Sequence, residues 1–342
     1  MEKNSTPSSL FDMYWAKIKP YVRDPSIPEK YQELFRQFYE GYANALSSHG
    51  HHKEEHLDLF ISLARMVREQ CIEPFLFQPY HQKIRSPIDY YTFGLDFIRP
   101  LVEKEKSTVQ GISHFKSLCS SLERGENAIF LANHQIEADP QAISILLEDI
   151  DPSFGEKLIF VAGERVITDP LAVPFSKGCD LLCIYSKRYI DYPPELKRDK
   201  QLHNKRTMEL MSELLSEGGK AIYVAPSGGR DRPNAHGVVE IASFDPQSIE
   251  MFYLMAKRAG HPTHFYPLAL RTYDLLPPPQ TVQVELGEAR IAKRGGIHLA
   301  FGERIDMEHF PGADVENKQE RRQARASYIC NLVKQAYDTF KI

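Results

Sequence analysis

The sequence predicts an α/β fold: a mixed, mostly parallel sheet covered by helices and preceded by a small N-terminal helical bundle. Three observations carry this expectation. From Ser9 to about residue 75 every apolar run has helical spacing. From about residue 78 short apolar runs alternate with longer helical stretches, the pattern of units that build a parallel sheet. Polar loops fall directly after three of those short runs, where parallel strands collect their ligand-binding loops. The expected division is a helical bundle over residues 1–77 and an α/β domain over residues 78–342.

Taken in order, Tyr31, Leu34, Phe35, Phe38, Tyr39 and Tyr42 recur at helical spacing, and so do Leu57, Leu59, Phe60, Leu63, Ala64 and Val67. Pro25 and Pro28 mark one break, and Ser47-Ser48-His49-Gly50 marks another. His49, His51, His52 and His56 gather at the second break. No other ligand group accompanies them at fixed spacing, so they read as a solvated loop and helix start rather than a metal site. Strands are expected at 127–132, 158–162, 181–186, 221–225 and 264–270, with 282–286 and 298–301 as two further candidates. Pro277-Pro278-Pro279 reads as a stiff surface connection.

A chain of 342 residues with a formal net charge of −4 is long enough for a large core and is no polycation, which argues against general nucleic-acid binding. No apolar run approaches transmembrane length, so at most peripheral membrane contact is expected. Met1-Glu2-Lys3-Asn4-Ser5 shows neither an apolar signal core nor an Arg-rich transit pattern. The expected location is a bacterial cytoplasm, the alternative being a plastid stroma after transit-peptide removal. Five scattered cysteines, an odd number, argue for a reducing compartment, with Cys179 and Cys183 as core residues rather than a metal pair.

The stretch from Asn133 to Pro140 stands between the apolar run Ala128–Ala132 and a helical pattern starting at Pro140. Pro140 suits a first helical turn and Asp139 the N-cap before it. His134 therefore belongs to a strand-to-helix loop, with a carboxylate five residues on to orient it as a base. The spacing alone is weak, because chance supplies about one such pair in a chain with this many His and Asp. His309 and Asp314 are a second pair, but they lie in an irregular Pro- and Gly-containing turn and read as coincidence.

Two more polar loops follow apolar runs. Ser186-Lys187-Arg188-Tyr189 comes after residues 181–185, and Pro226-Ser227-Gly228-Gly229-Arg230-Asp231-Arg232-Pro233 after residues 221–225. Neighbouring strands would bring these loops to one cleft with His134. Lys187, Arg188, Arg230 and Arg232 suit a phosphate or carboxylate, and the glycines let backbone approach a ligand. No metal and no cofactor is called for.

These residues carry a family resemblance. Asn133 to Pro140 resembles the H-x-x-x-x-D block of glycerolipid acyltransferases, and Val161 to Pro170 resembles their second block. Ala225 to Pro233 is similar to the third block in its soluble, plastid form, and Tyr266-Pro267-Leu268-Ala269-Leu270 to the fourth. The blocks stand in the family's order, and the resemblance runs from about Tyr90 to Glu288. It points to the soluble glycerol-3-phosphate 1-O-acyltransferases of chloroplasts and Chlamydia-like bacteria, whose small helical first domain the N-terminal part also resembles. The wider family carries Glu-Gly-Thr-Arg where this chain has Ser227-Gly228-Gly229-Arg230. Plant members show a pattern like Lys-Lys-His where this chain has Lys187-Arg188-Tyr189, so Tyr189 offers only a hydroxyl.

The resemblance implies transfer of a fatty acyl group from acyl carrier protein, or from coenzyme A, to the sn-1 hydroxyl of glycerol 3-phosphate. That reaction gives 1-acyl-sn-glycerol 3-phosphate and is the first step of phospholipid biosynthesis. It implies His134 as general base, Asp139 as its partner, and Arg188, Arg230 and Arg232 with Lys187 at the phosphate. Tyr189, Ser227, Gly228 and Gly229 would be neighbours of the substrate. Lys187, Arg188, Lys197, Arg198, Lys200, Lys205 and Arg206 form a locally basic segment able to dock an acidic carrier protein, or else a solvated helix face. The other readings are acylation of a lysophospholipid at a membrane surface and a non-catalytic phosphate- or carrier-protein-binding module. The missing anchor argues against the former, and the presence of both His134 and Asp139 against the latter.

Overall fold

The computed structural model describes residues 10–47, 55–186, 190–279 and 286–340. Three helices open it: α1 (Leu10–Val22), α2 (Glu29–Ser47) and α3 (Glu55–Ile72). Their apolar stripes meet in an aromatic cluster, where the ring centroid of Phe60 lies 5.0 Å from those of Tyr39 and Tyr42 and 4.9 Å from that of Phe97. Phe97 belongs to α4 (Tyr90–Ile98), and the Tyr42 hydroxyl donates to its carbonyl at 2.8 Å. The same buried cluster runs on to Ile136 and Ala138 in the loop that carries His134. His56 is buried edge-on to Tyr42, so the solvated reading fails for it, whereas His49, His51 and His52 lie outside the described residues.

The strands are β1 (Tyr80–His81), β2 (Thr108–Gln110), β3 (Asn127–Ala132), β4 (Ile159–Gly163), β5 (Asp180–Ile184), β6 (Ala221–Val224), β7 (Arg232–Pro233), β8 (Val239–Glu240), β9 (Thr263–Arg271) and β10 (His298–Phe301). Eight of them form one sheet in the order β1-β5-β4-β6-β3-β9-β10-β2, and β7 and β8 pair separately. Within the large sheet the β1–β5 and β9–β10 pairings are antiparallel and the rest parallel. The mixed, mostly parallel sheet expected from the sequence is therefore present. β1 and β2 are too short to leave a periodic trace. The candidate strand at 282–286 falls outside the described residues, apart from Leu286.

The central strand β3 is buried at every position, as a strand covered on both faces must be. Its alternate residues enter different layers. Ile129 and Leu131 join a cluster with Met211, Ile249, Phe252 and Ile329 from α10 (Lys197–Glu217), α11 (Pro246–Arg258) and α12 (Lys318–Asp338). Ala128, Phe130 and Ala132 join Phe115, Ile143 and Phe154 from α5 (Ile112–Glu123), α6 (Asp139–Leu147) and α7 (Pro152–Lys157). Two short helices, α8 (Glu164–Thr168) and α9 (Val173–Ser176), follow β4.

All five cysteines are free, and Cys179 and Cys183 are buried. Pro277-Pro278-Pro279 departs from expectation: Pro278 is buried, and the Pro279 carbonyl accepts a hydrogen bond from Arg232. Among the described residues no helix is long and apolar enough to cross a membrane. One consequence of the strand order governs the site. β5, β4, β6, β3 and β9 are consecutive and parallel, so their carboxyl ends share one edge of the sheet.

Candidate active site

At that edge β3 ends at Ala132 and the chain turns through Asn133 to Ala138 into α6. His134 Nδ1 stands 2.7 Å from Asp139 Oδ2. Asp139 is not the N-cap that the sequence suggests. Ala138 occupies that position and Asp139 begins the helix, with Pro140 in the first turn. The carboxylate turns back toward the loop instead. Its Oδ2 accepts from the backbone N–H of Gln135 at 2.9 Å and faces that of Ile136 at 3.4 Å, and its Oδ1 accepts from the Thr272 hydroxyl at 2.6 Å. Because Oδ2 already accepts backbone N–H groups, the Nδ1 position of His134 is the protonated one. Nε2 then carries the lone pair and has no hydrogen-bond partner among the described residues. His134 is 28% exposed and Asp139 1%. A rigid, buried carboxylate thus orients a ring whose basic nitrogen is reachable.

Four uncharged or buried polar groups tie this loop to its neighbours. Asn133 Nδ2 donates to Asp231 Oδ2 at 2.8 Å and to the Leu270 carbonyl at 2.9 Å, and Asn133 Oδ1 accepts from the Leu270 N–H. Gln135 Nε2 donates to Asp231 Oδ2 at 3.2 Å, while its Oε1 accepts from the N–H groups of Thr272 and Tyr273. The Tyr223 hydroxyl donates to the Asn133 carbonyl at 2.6 Å, and the Asp231 N–H to the His134 carbonyl at 2.7 Å. Asn133, Gln135 and Asp231 are fully buried. Burial pushes the Asp231 carboxyl above its ordinary range, against hydrogen bonds from Asn133, Ala242 and Gln135 that pull it down. The loops after β3, β6 and β9 are thereby locked together, since such groups cost about 1–3 kcal/mol each when left unsatisfied.

The loop after β6 meets the His134 loop at Asp231, whose N–H donates to the His134 carbonyl. Gly228 adopts a φ of +65°, a left-handed conformation that a side chain would strain. Gly228 and Gly229 are exposed, and the Ser227 hydroxyl donates to the Gly229 carbonyl. Arg230 does not stand as a bare cation. It is ion-paired with Glu288 and lies 3.9 Å from Glu137. Arg232 donates to the Pro279 carbonyl. Partial burial and then the neighbouring Arg230 charge lower the Arg232 pKa from its usual value. Lys187, Arg188 and Tyr189 lie outside the described residues.

Sequence reasoning missed the ionic frame around Arg230. Arg165, in α8 just after β4, donates to Glu288 at 2.7 Å. Arg290 donates to Glu137 at 2.8 Å and to the Glu288 carbonyl at 3.0 Å, and its Nη2 is 3.4 Å from Asp169. Burial raises the Glu137 carboxyl, but Arg290 and then Arg230 outweigh it and hold the group below its usual value. Arg165 and Asp169 lie in the stretch resembling the second block, which was a usable signal. Glu288 stood only at the end of the resembling stretch, outside its four blocks, and Arg290 lay beyond it. The locally basic stretch on and before α10 is largely balanced: Lys197 pairs with Asp191, Arg206 with Glu209 and Glu213, and Lys200 is buried beside Glu164. His309 pairs with Asp306, not with Asp314, and is 87% exposed. Among the described residues no cluster of His, Cys, Asp and Glu could hold a metal ion.

Chemically, the arrangement is an oriented imidazole base beside a group of guanidinium forks suited to an anion. Comparison with known proteins gives the family of such a site. An acyltransferase family model matches residues 106–271. A chloroplastic glycerol-3-phosphate acyltransferase of Cucurbita moschata is 37% identical over 328 residues, 95% of this chain and 71% of that one. Those of Spinacia oleracea and Arabidopsis thaliana are 38% and 37% identical, covering 95% and 94% of this chain and 70% of each of theirs. A solved structure, the 1-acyl-sn-glycerophosphate (LPA) acyltransferase PlsC of Thermotoga maritima, is 17% identical with a TM-score of 0.41 over 97% of this chain and 96% of its own, too distant to bear on the site.

Proposed function

The chain belongs to the glycerol-3-phosphate acyltransferases, and from that premise we propose that it acylates the sn-1 hydroxyl of glycerol 3-phosphate with His134 as general base. The observation that carries the assignment is the 2.7 Å contact between His134 and a four-donor Asp139, with Nε2 left accessible. Nε2 takes the proton of the C1 hydroxyl as its oxygen attacks the thioester carbonyl, and Asp139 stabilises the imidazolium that forms. The tetrahedral intermediate collapses, the C–S bond breaks, the His134 imidazolium returns its proton to the departing thiolate, and 1-acyl-sn-glycerol 3-phosphate remains. Direct attack requires no covalent acyl-enzyme.

Arg230 and Arg232, with Lys187 and Arg188 from the loop after β5, hold the phosphate and so fix the distance of the hydroxyl from His134. The donor is a fatty acyl thioester of acyl carrier protein, with acyl-coenzyme A as the alternative. The relatives' names are chloroplastic, which supports the plastid alternative over a bacterial cytoplasm.

The test is thiol release from an acyl thioester with glycerol 3-phosphate added or omitted. Release that does not depend on glycerol 3-phosphate would overturn the acceptor. Arg232→Ala is expected to raise the KM for glycerol 3-phosphate about ten- to a hundredfold while the KM for the acyl donor moves little. Arg230→Ala should do the same, with a loss of stability besides, because removing one partner of a buried pair costs about 3–5 kcal/mol. If the arginine variants weaken only the acyl donor, the cluster docks the carrier protein instead. Arg188→Lys should lose affinity because a lysine has no bidentate fork, and Tyr189→Phe should lose less.

A further inference from the structure

We propose that Glu288 is a positioning residue of the phosphate site: it spans Arg165 and Arg230 and holds their guanidinium forks side by side. The inference rests on the reading of Arg230 as a phosphate ligand and goes beyond it, since nothing in the catalytic pair or the four family blocks calls for an acid at this point.

The geometry supports a brace rather than a chance contact. Each carboxylate oxygen of Glu288 takes a different arginine, Oε1 receiving Arg165 Nη1 at 2.7 Å and Oε2 receiving Arg230 Nη2. The two arginines come from different segments, α8 after β4 and the loop after β6, so no local hydrogen bond could align them. Glu288 is 3% exposed, and its side chain bonds to no other group among the described residues that would place it there for packing alone. A lone carboxylate so buried is costly unless charged partners surround it. Here the partners are Arg230, the proposed phosphate ligand, and its neighbour Arg165, and the acid orients the two.

The segment carrying Glu288 is itself anchored. The Gly287 N–H donates to Asp169 Oδ2 at 3.0 Å, and Arg290 Nη1 donates to the Glu288 carbonyl. Lys30 of α2 donates to the Leu286 carbonyl at 2.6 Å. Gly287 has a φ of +88°, and a Cβ there would meet Lys30 and Leu34 at 2.9 and 3.0 Å, so α2 of the bundle packs directly on this backbone. The helical bundle thus braces the segment that carries the acid between the two arginines. A phosphate that binds Arg230 then meets a fork already set, which lowers the ordering cost of binding it.

The charge removed and the geometry removed pull in opposite directions, so the proposal is decided by sign. Taking a negative charge away from the arginines favours an anion on electrostatic grounds alone. Loss of the brace disfavours it. In steady-state kinetics of the protein, Glu288→Gln and Glu288→Asp are both expected to raise the KM for glycerol 3-phosphate by about tenfold, leaving the KM for the acyl donor close to the parent. Aspartate keeps the charge but is one methylene too short to span both forks, so it should not rescue. An unchanged or lowered KM in a Glu288→Gln protein, or full rescue by Asp, overturns the positioning role. A merely structural Glu288 would instead lower thermal stability and the active fraction with both KM values unmoved. The double variant Arg230→Ala/Glu288→Gln separates this inference from the one beneath it. If the brace acts through Arg230, the two effects on KM are strongly non-additive. If Arg230→Ala leaves the KM for glycerol 3-phosphate untouched, the phosphate reading itself has failed. If Arg230→Ala raises it and Glu288→Gln does not, only the brace has failed.

Discussion

Turnover by a purified His134→Ala protein is expected to fall by about 10²–10⁴-fold, the usual cost of losing a general base, while its thermal midpoint stays close to the parent's. The two halves of that expectation have separate physical grounds. The imidazole is 28% exposed and fills no part of a core cluster, so deleting it opens no cavity. The backbone of residue 134 stays tied down, because its carbonyl accepts from the Asp231 N–H whatever the side chain is. Asp139 loses one donor of its set but keeps Thr272 and the Gln135 N–H, so its carboxylate is not stranded. What disappears is the oriented, accessible nitrogen base of the His134–Asp139 pair, and with it the proposed proton acceptor for the C1 hydroxyl. His309→Ala is the matched control. That ring is 87% exposed and bonded to Asp306, so its removal should leave turnover unchanged. Near-normal turnover in the His134→Ala protein would end the assignment.

Replacing Asp139 should separate the two jobs of that carboxylate. In Asp139→Asn the amide oxygen can take the Oδ2 position, where only donors arrive, and the amide nitrogen can face Thr272, whose hydroxyl is able to accept. The tautomer of His134 survives and the negative charge does not. Turnover should then drop by about 10- to 100-fold, less than the roughly 10⁴-fold seen where an Asp-to-Asn change inverts the tautomer of a catalytic histidine. Asp139→Ala removes both jobs. It leaves buried donors at Gln135 and Thr272 without an acceptor, at about 1–3 kcal/mol each. It should therefore lower the thermal midpoint as well as cost more than Asn in turnover. Steady-state kinetics with thermal melts of the two variants give the answer. Equal turnover in Asn and Ala would mean that the charge, not the orientation, is the whole contribution of Asp139. Parent-like turnover in both would remove Asp139 from the reaction.

The parts of this site that the sequence determined alone are those held together by short range. A run such as Ala128–Ala132 is apolar on both faces only if it is a strand covered on both sides, and a polar loop after it can only emerge at a strand end. His134 and Asp139 are five residues apart, so the turn between strand and helix is enough to join them. That is why the pair was legible, along with the mixed sheet and the helical start of the chain. The details of the turn were not, because Asp139 had better partners behind it than the helix in front of it. Tertiary structure decided everything that depends on which strands are neighbours. Thr272 reaches Asp139 across 133 residues because β9 lies beside β3, and Arg165 reaches Glu288 across 123. Read one at a time, Arg230 and Glu288 are ordinary surface charges, and no local pattern says that a carboxylate 58 residues on will neutralise an arginine. Ion pairing acts through space and carries no period along the chain. The sequence therefore announced a base and a group of cations, and the order of strands in the sheet decided which of those cations are already spoken for by buried acids.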